Sequence, residues 1–134
     1  MAYADADDVV GSRVPAPFER ALKVVMDPST HDDVERFTLI FSELAPGGGS
    51  TDFHLHEGSG ELMVVTSGEG RAWLGGREYP LKPGVALYAP PGEEHRTLNT
   101  GGVPLEIVCV FMPPAPADYV QSMIRAAGAE PRPD

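Results

Sequence analysis

The chain has 134 residues, which is enough for one domain with a hydrophobic core and too short for two. Its 15 glycines and 14 prolines would interrupt long helices, so the composition excludes a long-helical protein and favours short strands joined by tight turns. A formal net charge of −10 argues against nucleic acid and anionic membranes as partners, and no apolar run approaches the roughly 20 residues of a membrane span.

The first third of the chain changes from acidic to apolar. Residues 1–17 are acidic, interrupted by proline and without a sustained period, so we expect an N-terminal arm. Residues 18–26 fit both a short helix and a strand, and the sequence leaves the two alternatives open. Residues 35–44 are rich in β-branched and aromatic side chains, which predicts a strand ending before Pro46.

In the remainder of the chain, Gly, Pro and Asn occur at regular intervals. Between residues 53 and 112 the apolar segments are short and the turns closely spaced, which predicts an antiparallel barrel or sandwich. Residues 117–128 carry an apolar stripe at helical spacing, with Asp118 as the expected N-cap and Gly128 as the stop. The expected organisation is an arm (1–17), a barrel (18–115) and a C-terminal helix with a tail (116–134).

The single cysteine, Cys109, excludes an internal disulfide, and the first ten residues lack a signal-peptide pattern. We therefore expect a cytoplasmic protein. Cys109 lies in an apolar strand segment, which favours a small buried hydrophobic residue over a reactive thiol lining a cavity. His31 stands among carboxylates in a polar turn and is expected to be solvated.

Three of the four histidines form a pattern that can bind metal. His54 and His56 alternate in the predicted strand 53–57, so their side chains share a face with Cβ atoms about 6 to 7 Å apart. Glu61 follows a flexible glycine-containing turn, and His95 must come from a distant strand. Three imidazoles and one carboxylate suit iron, manganese, nickel, cobalt or zinc and leave coordination positions open for a substrate.

The spacing of these residues resembles both sequence motifs of the cupin superfamily. The resemblance covers roughly residues 36–112 and fits a small, bacterial-type single-domain cupin. The first motif matches at Gly48, His54, His56, Glu61 and Gly68, and the second at Gly84, Pro90, Gly92, His95 and Asn99.

The resemblance implies an all-β, cupin-type double-stranded β-helix (jelly-roll) barrel with one divalent metal bound inside by His54, His56, Glu61 and His95. It also implies a homodimer paired through a barrel sheet, for which the alternate faces of residues 36–44 and 104–112 are candidates.

We expect a small-molecule enzyme of the dioxygenase, isomerase or lyase type, in which Glu61 serves as a base as well as a ligand. The alternative is a non-catalytic ligand-binding or sensor cupin. Strand alternation makes Met63, Tyr88 and Thr97 the candidates for substrate contact. Of the arginines assigned to the barrel, Arg71, Arg77 and Arg96, the last is expected to face outward because it is adjacent to His95, so a strongly cationic pocket is unsupported.

Overall fold

A computed structural model of the chain describes residues 1–128, which form nine β-strands and one α-helix. The part of the tail at 129–134 lies outside the described residues. The strands are β1 (Ser12–Val14), β2 (Arg20–Met26), β3 (Thr38–Leu44), β4 (Gly60–Ser67), β5 (Gly70–Leu74), β6 (Arg77–Leu81), β7 (Ala86–Ala89), β8 (His95–Asn99) and β9 (Leu105–Met112), and the helix is α1 (Ala117–Ala126).

Two antiparallel sheets face each other. The larger has the order β1-β2-β3-β9-β4-β7, and the smaller has the order β6-β5-β8. Strand alternation separates an inner from an outer face: in β9 the side chains of Leu105, Ile107 and Phe111 are buried, whereas Glu106 and Met112 are exposed. The inner faces of the two sheets enclose the core, as expected for a jelly-roll barrel.

Asn99 ties the two sheets together at one end of the barrel. Its side-chain amide donates hydrogen bonds to the carbonyl oxygens of Leu44 and Val103 and accepts one from the Gly101 amide. The residue is 1% exposed, so these bonds form away from water and fix the position of β8 against β3. The opposite end of β8, which starts at His95, is thereby positioned against the larger sheet.

The N-terminal region is more structured than the sequence indicates. Residues 20–26 adopt the strand alternative, and β1, within the predicted arm, pairs antiparallel with them from Ser12 to Val14. A three-residue strand is too short to show a period, which is why the pattern did not reveal it. The stretch from Ala6 to Asp8 forms a single 3-10 turn.

The C-terminal helix forms where predicted but begins differently. Pro116 occupies the N-cap position without a side-chain hydrogen bond, and Asp118 lies inside the first turn, so the prediction of Asp118 as N-cap is wrong. A carboxylate there still interacts favourably with the helix dipole. Gly128 follows the helix with a φ of +81°, a conformation that glycine adopts without strain.

Candidate metal centre

Four side chains from three parts of the chain converge inside the barrel. Glu61 is on β4, His95 begins β8, and His54 and His56 lie in the segment between β3 and β4. One potential ligand atom from each residue lies within 4.8 Å of the others. Glu61 and His95 are buried, whereas His54 and His56 are half-buried at the mouth of the cavity.

The segment that carries His54 and His56 is not the regular strand expected for residues 53–57. Only His54 forms a β-bridge, with His95, through hydrogen bonds in both directions between their backbones. The ladder ends there because the opposing chain turns at residues 90–93, where the Glu93 amide bonds to the Pro90 carbonyl. The His56 carbonyl instead accepts from the Gly92 amide, which brings both imidazoles to one point without a strand.

Backbone carbonyls fix the tautomers of two imidazoles. His54 Nδ1 lies 2.8 Å from the Asp52 carbonyl oxygen, and His95 Nδ1 lies 3.0 Å from that of Glu93. A carbonyl can only accept, so both Nδ1 atoms donate, and in the neutral rings Nε2 presents its lone pair toward the cluster. This arrangement is the usual way to orient a metal-binding histidine.

Glu61 Oε1 lies between two imidazole nitrogens. It is 3.0 Å from His95 Nε2 and 3.2 Å from His56 Nε2. The contact with His56 is close enough for an ion pair but lacks hydrogen-bond geometry, so the buried His56 Nε2 has no hydrogen-bond partner among the described residues. A buried, unpaired nitrogen beside a carboxylate is costly unless a cation occupies the space between them.

Burial and neighbouring charges shift the ionisation of this cluster. Burial would raise the pKa of Glu61, but the His56 and His95 imidazoles outweigh it and lower the pKa to about 2. Burial would lower the pKa of His95, but Glu61 and the Glu93 carbonyl raise it overall. For His54, burial prevails and lowers the pKa. The cluster therefore offers one permanent carboxylate and a neutral His54 imidazole at neutral pH.

These residues fit a divalent transition metal. Three imidazoles and one carboxylate are a suitable donor set for such ions, and the Nε2 atoms of His54 and His95 are already directed inward. The unpaired His56 nitrogen is the observation that a bound cation would explain.

A cavity of about 240 Å³ adjoins the four side chains. Its lining combines apolar side chains with a similar number of polar and charged ones. The lining comprises Arg20, Leu22, Ile40, Ser42, Thr51, Asp52, His54, Leu55, His56, Glu61, Met63, His95, Thr97, Ile107, Cys109, Phe111 and Tyr119.

Of the three candidates for substrate contact, Met63 and Thr97 line the cavity and are buried. Tyr88 differs from the expectation: it is 48% exposed and lies outside this lining. Its register explains why, since Glu61 pairs with Ala89 on the inner face, which turns the adjacent Tyr88 outward beside Leu62. Tyr88 instead covers Gly60, where an added Cβ would meet its hydroxyl.

Cys109 lines the cavity, but as a buried hydrophobic residue and not as a reactive thiol. It is buried and also lines the cavity, opposite Met63 in the β4–β9 pairing. Burial, with a smaller contribution from Glu61, raises the pKa of its thiol well above the usual range. The thiol therefore stays protonated and contributes an apolar surface rather than a nucleophile.

The lining residues that the sequence analysis missed include three that can form hydrogen bonds: Arg20, Ser42 and Tyr119. Arg20 was hidden because residues 18–26 fit a helix as well as a strand, and only the strand alternation places it inward with Leu22. Ser42 lies at an inward position of β3 that alternation alone could have identified. The helix α1 brings the Tyr119 ring to 6.2 Å from His56 and 6.3 Å from Phe111, a tertiary contact that local patterns do not encode.

Comparison with known proteins settles the family. The protein-family model for the Cupin domain matches residues 40–111, which is more than half of the chain. The chain belongs to the cupin family. The matched range contains all four clustered ligands and the strands that carry Glu61 and His95. Both the fold and the recognised motifs are thus those of a small single-domain cupin.

Three proteins similar to this chain are described in different ways. An uncharacterized protein of Methanocaldococcus jannaschii is 29% identical over 93 residues, covering 69% of this chain and 73% of that protein. An oxalate-binding protein of Thermotoga maritima is 36% identical over 67 residues, and the match spans 50% of this chain and 55% of that relative. The polyketide cyclase RemF of Streptomyces resistomycificus superposes with a TM-score of 0.71 at 29% identity, covering 87% and 82% of the two chains.

Within residues 1–128, no helix is both long and apolar enough to cross a membrane.

Proposed function

We propose that the protein binds one divalent transition metal, drawn from iron, manganese, nickel, cobalt and zinc, through His54, His56, Glu61 and His95. The observation that carries this proposal is the convergence of four ligand atoms within 4.8 Å of one another, one of which is a buried imidazole nitrogen without a hydrogen-bond partner among the described residues. Membership of the cupin family supports it.

We propose further that the protein is a small-molecule enzyme of the dioxygenase, isomerase or lyase type. A metal held there would supply Lewis-acid chemistry, polarising an oxygen of the substrate. The protein's own residues would exclude water, through Met63, Phe111 and Cys109, and hold the substrate in the cavity. The similarity to a polyketide cyclase supports an enzymatic role.

Glu61 is proposed as a base as well as a ligand. Its pKa, lowered to about 2, keeps it a carboxylate across the physiological range, which is the form that holds a metal; the base role would require a higher proton affinity than this pKa gives. It lies in the wall of the cavity, within reach of a bound small molecule.

A non-catalytic ligand-binding protein is the second candidate, and the similarity to an oxalate-binding protein favours it. The two candidates differ in turnover and not in metal or ligand binding. A ligand-binding protein would release every bound compound unchanged, whereas an enzyme would convert at least one compound of the class that it binds.

The experiment has two readouts. Elemental analysis of protein purified without added metal gives the metal stoichiometry, and incubation of the metal-loaded protein with small oxygen-bearing compounds, followed by mass spectrometry, gives turnover. A stoichiometry near one supports the metal proposal. Conversion that disappears in Glu61→Gln, with metal still bound, supports the enzyme. Failure to bind any of the five metals would refute the metal proposal.

We also propose a homodimer that pairs through the outer face of the larger sheet. Leu39, Phe41, Val108 and Val110 are half-buried neighbours on this face, aligned across the β3–β9 pairing. An apolar sheet face covered by a second copy would be removed from water. Light scattering should give a dimer for the native protein and a monomer for Phe41→Glu; a native monomer at micromolar concentration contradicts the proposal.

A further inference from the structure

Arg20 places a cationic group in the wall of the metal cavity. It is the first residue of β2, and it lines the cavity on the same face as Leu22. Its Nη1 donates to the carbonyl oxygens of Phe18, at 3.1 Å, and Ser50, at 3.3 Å. The guanidinium therefore spans from β2 to the segment that leads to the metal ligands.

The charge of Arg20 has no carboxylate partner in the described chain. The arginine ion pair found within residues 1–128 joins Arg71 to Glu78 on the exposed surface. Both hydrogen bonds that the described residues give Arg20 go to neutral carbonyls and use Nη1, which leaves Nε and Nη2 to donate to a ligand. Asp52 and Glu61 also line the cavity, but within the described residues their ion-pair contacts are with histidines and not with Arg20.

Hydroxyl-bearing side chains line the same cavity as Arg20. Ser42 and Thr97 are buried in its wall, and their hydroxyls form no hydrogen bond to another residue that the structure describes. Tyr119, which is 40% exposed, also lines the cavity, and its phenol is a hydrogen-bond donor. These groups can complete the hydrogen bonds of a bound anion.

We propose that Arg20, assisted by Ser42, Thr97 and Tyr119, forms a carboxylate-binding subsite, so that the cavity takes a small carboxylate-bearing molecule between Arg20 and the metal centre. The inference rests on the proposed metal function and specifies the class of its ligand.

A carboxylate fits the subsite better than a phosphate. Arg20 supplies the positive charge, and neither lysine nor a second arginine occurs among the residues that line the cavity. A phosphate monoester carries a charge of about −1.5 to −2 at neutral pH and is usually held by several cations or a helix N-terminus. A carboxylate carries one charge, which the planar guanidinium matches in shape.

The test uses succinate as the probe, with the uncharged diamide succinamide of equal length as its control ligand. Calorimetry on zinc-loaded protein should show succinate binding that Arg20→Gln weakens by roughly tenfold or more, since a charged hydrogen bond is lost. Arg20→Lys, which retains the charge, should weaken it less. Inorganic phosphate should bind more weakly than succinate.

Arg96→Gln is the matched control variant. Its Nε donates to the Thr51 carbonyl of the same segment, but its guanidinium packs between Phe53 and Trp73 outside the cavity. Succinate affinity should be unchanged in this variant. Equal succinate affinity in Arg20→Gln and native protein would overturn the proposal, as would equal losses in Arg20→Gln and Arg96→Gln or tighter binding of phosphate.

Zinc content and the visible spectrum of the cobalt-loaded protein are recorded for each variant. Both should be the same in Arg20→Gln and the native protein, which separates loss of the subsite from disturbance of the metal ligands. If the native protein binds no metal, the proposed function fails by itself. The subsite is then tested on metal-free protein, where weaker succinate binding that still depends on Arg20 supports it and binding independent of Arg20 overturns it.

Discussion

The metal centre joins two regions of different construction. Glu61 and His95 belong to strands that pair in ladders of several residues, and they are 6% and 3% exposed. His54 and His56 belong to residues 50–59, here called the ligand segment, where His54 and Ser50 form isolated bridges and His56 is held by one bond from Gly92. Glu61 and His95, here called the barrel half of the site, are thus fixed by the strands. The other half, His54 and His56, is held by few backbone hydrogen bonds.

The difference indicates what a bound metal would contribute. In the barrel half, strand pairing and burial position the ligands without help. In the ligand segment, coordination would add the strongest links between His54, His56 and the strands. We therefore expect metal binding to order the ligand segment and to leave the ladders unchanged.

The largest expected effect is the loss of the metal when the barrel half is broken. His95→Ala removes a ligand and the hydrogen-bond partner of Glu61, so metal affinity should fall by roughly a hundredfold or more, since changes around a ligand already cost 10- to 100-fold. Metal titration by calorimetry measures it. His31→Ala is the control, because His31 bonds to Thr30 and Tyr3 away from the cluster. Unchanged metal affinity in His95→Ala would show that the assignment is wrong.

A second effect concerns the barrel alone. Asn99→Ala leaves the carbonyls of Leu44 and Val103 and the Gly101 amide without their partner in a buried site. The free energy of unfolding should decrease by about 2–4 kcal/mol in metal-free protein, measured by urea denaturation. Thr66→Ala, at an exposed residue bonded to the Glu106 carbonyl, should change it by less than about 0.5 kcal/mol. Equal losses in the two variants would contradict this account of the barrel half.

The four clustered side chains can be predicted from the sequence because the spacing of the two motifs indicates a set of metal ligands. The sequence predicts the strands that carry Glu61 and His95 for the same reason, since inward alternation and glycine turns are local signals. Residues 53–57 were expected to be a strand because strand formation also depends on a partner, and the opposing chain turns away at residues 90–93.

The cavity wall is less predictable from the sequence. Met63 and Thr97 follow from the alternation of their own strands, but Tyr88 required the β4–β7 register, which local patterns do not contain. Arg20 and Tyr119 come from a strand and a helix far from both motifs, and their approach to the metal centre is a property of the tertiary fold.

A third effect should separate the two halves of the site. Metal at a free concentration of 100 times its dissociation constant should raise the free energy of unfolding by about 2.7 kcal/mol. The His54 and Gly92 amides form hydrogen bonds that join the ligand segment to the chain opposite it. Metal should slow hydrogen exchange at these two amides by more than the increase in the free energy of unfolding alone would give. Amides in the centre of β9 should slow only by the global amount. Uniform slowing in both regions would show that the ligand segment is already ordered without metal.

The smallest effect is in proton linkage and distinguishes His95 from His54. The raised pKa of His95 means that its imidazole is still mostly protonated at the ordinary histidine pKa of 6.5, whereas the lowered pKa of His54 means that this ring is mostly neutral there. A metal must displace the His95 proton, so binding at pH 6.5 should release more protons from His95 than from His54. Calorimetry in buffers of different ionisation enthalpy measures the release.

The same ionisations make the stability of the metal-free protein depend on pH, in the opposite direction to metal affinity. Glu61, with its pKa lowered from 4.5 to about 2, contributes stability above pH 4.5 that is lost as the pH falls toward 2. His95, with a raised pKa, contributes stability below pH 6.5 that is lost as the pH rises through its folded value. The contribution of this pair should therefore be largest between about pH 4.5 and 6.5, while metal affinity increases with pH above that window. A metal affinity that does not change between pH 6 and 8 would mean that no proton on His95 competes with the metal.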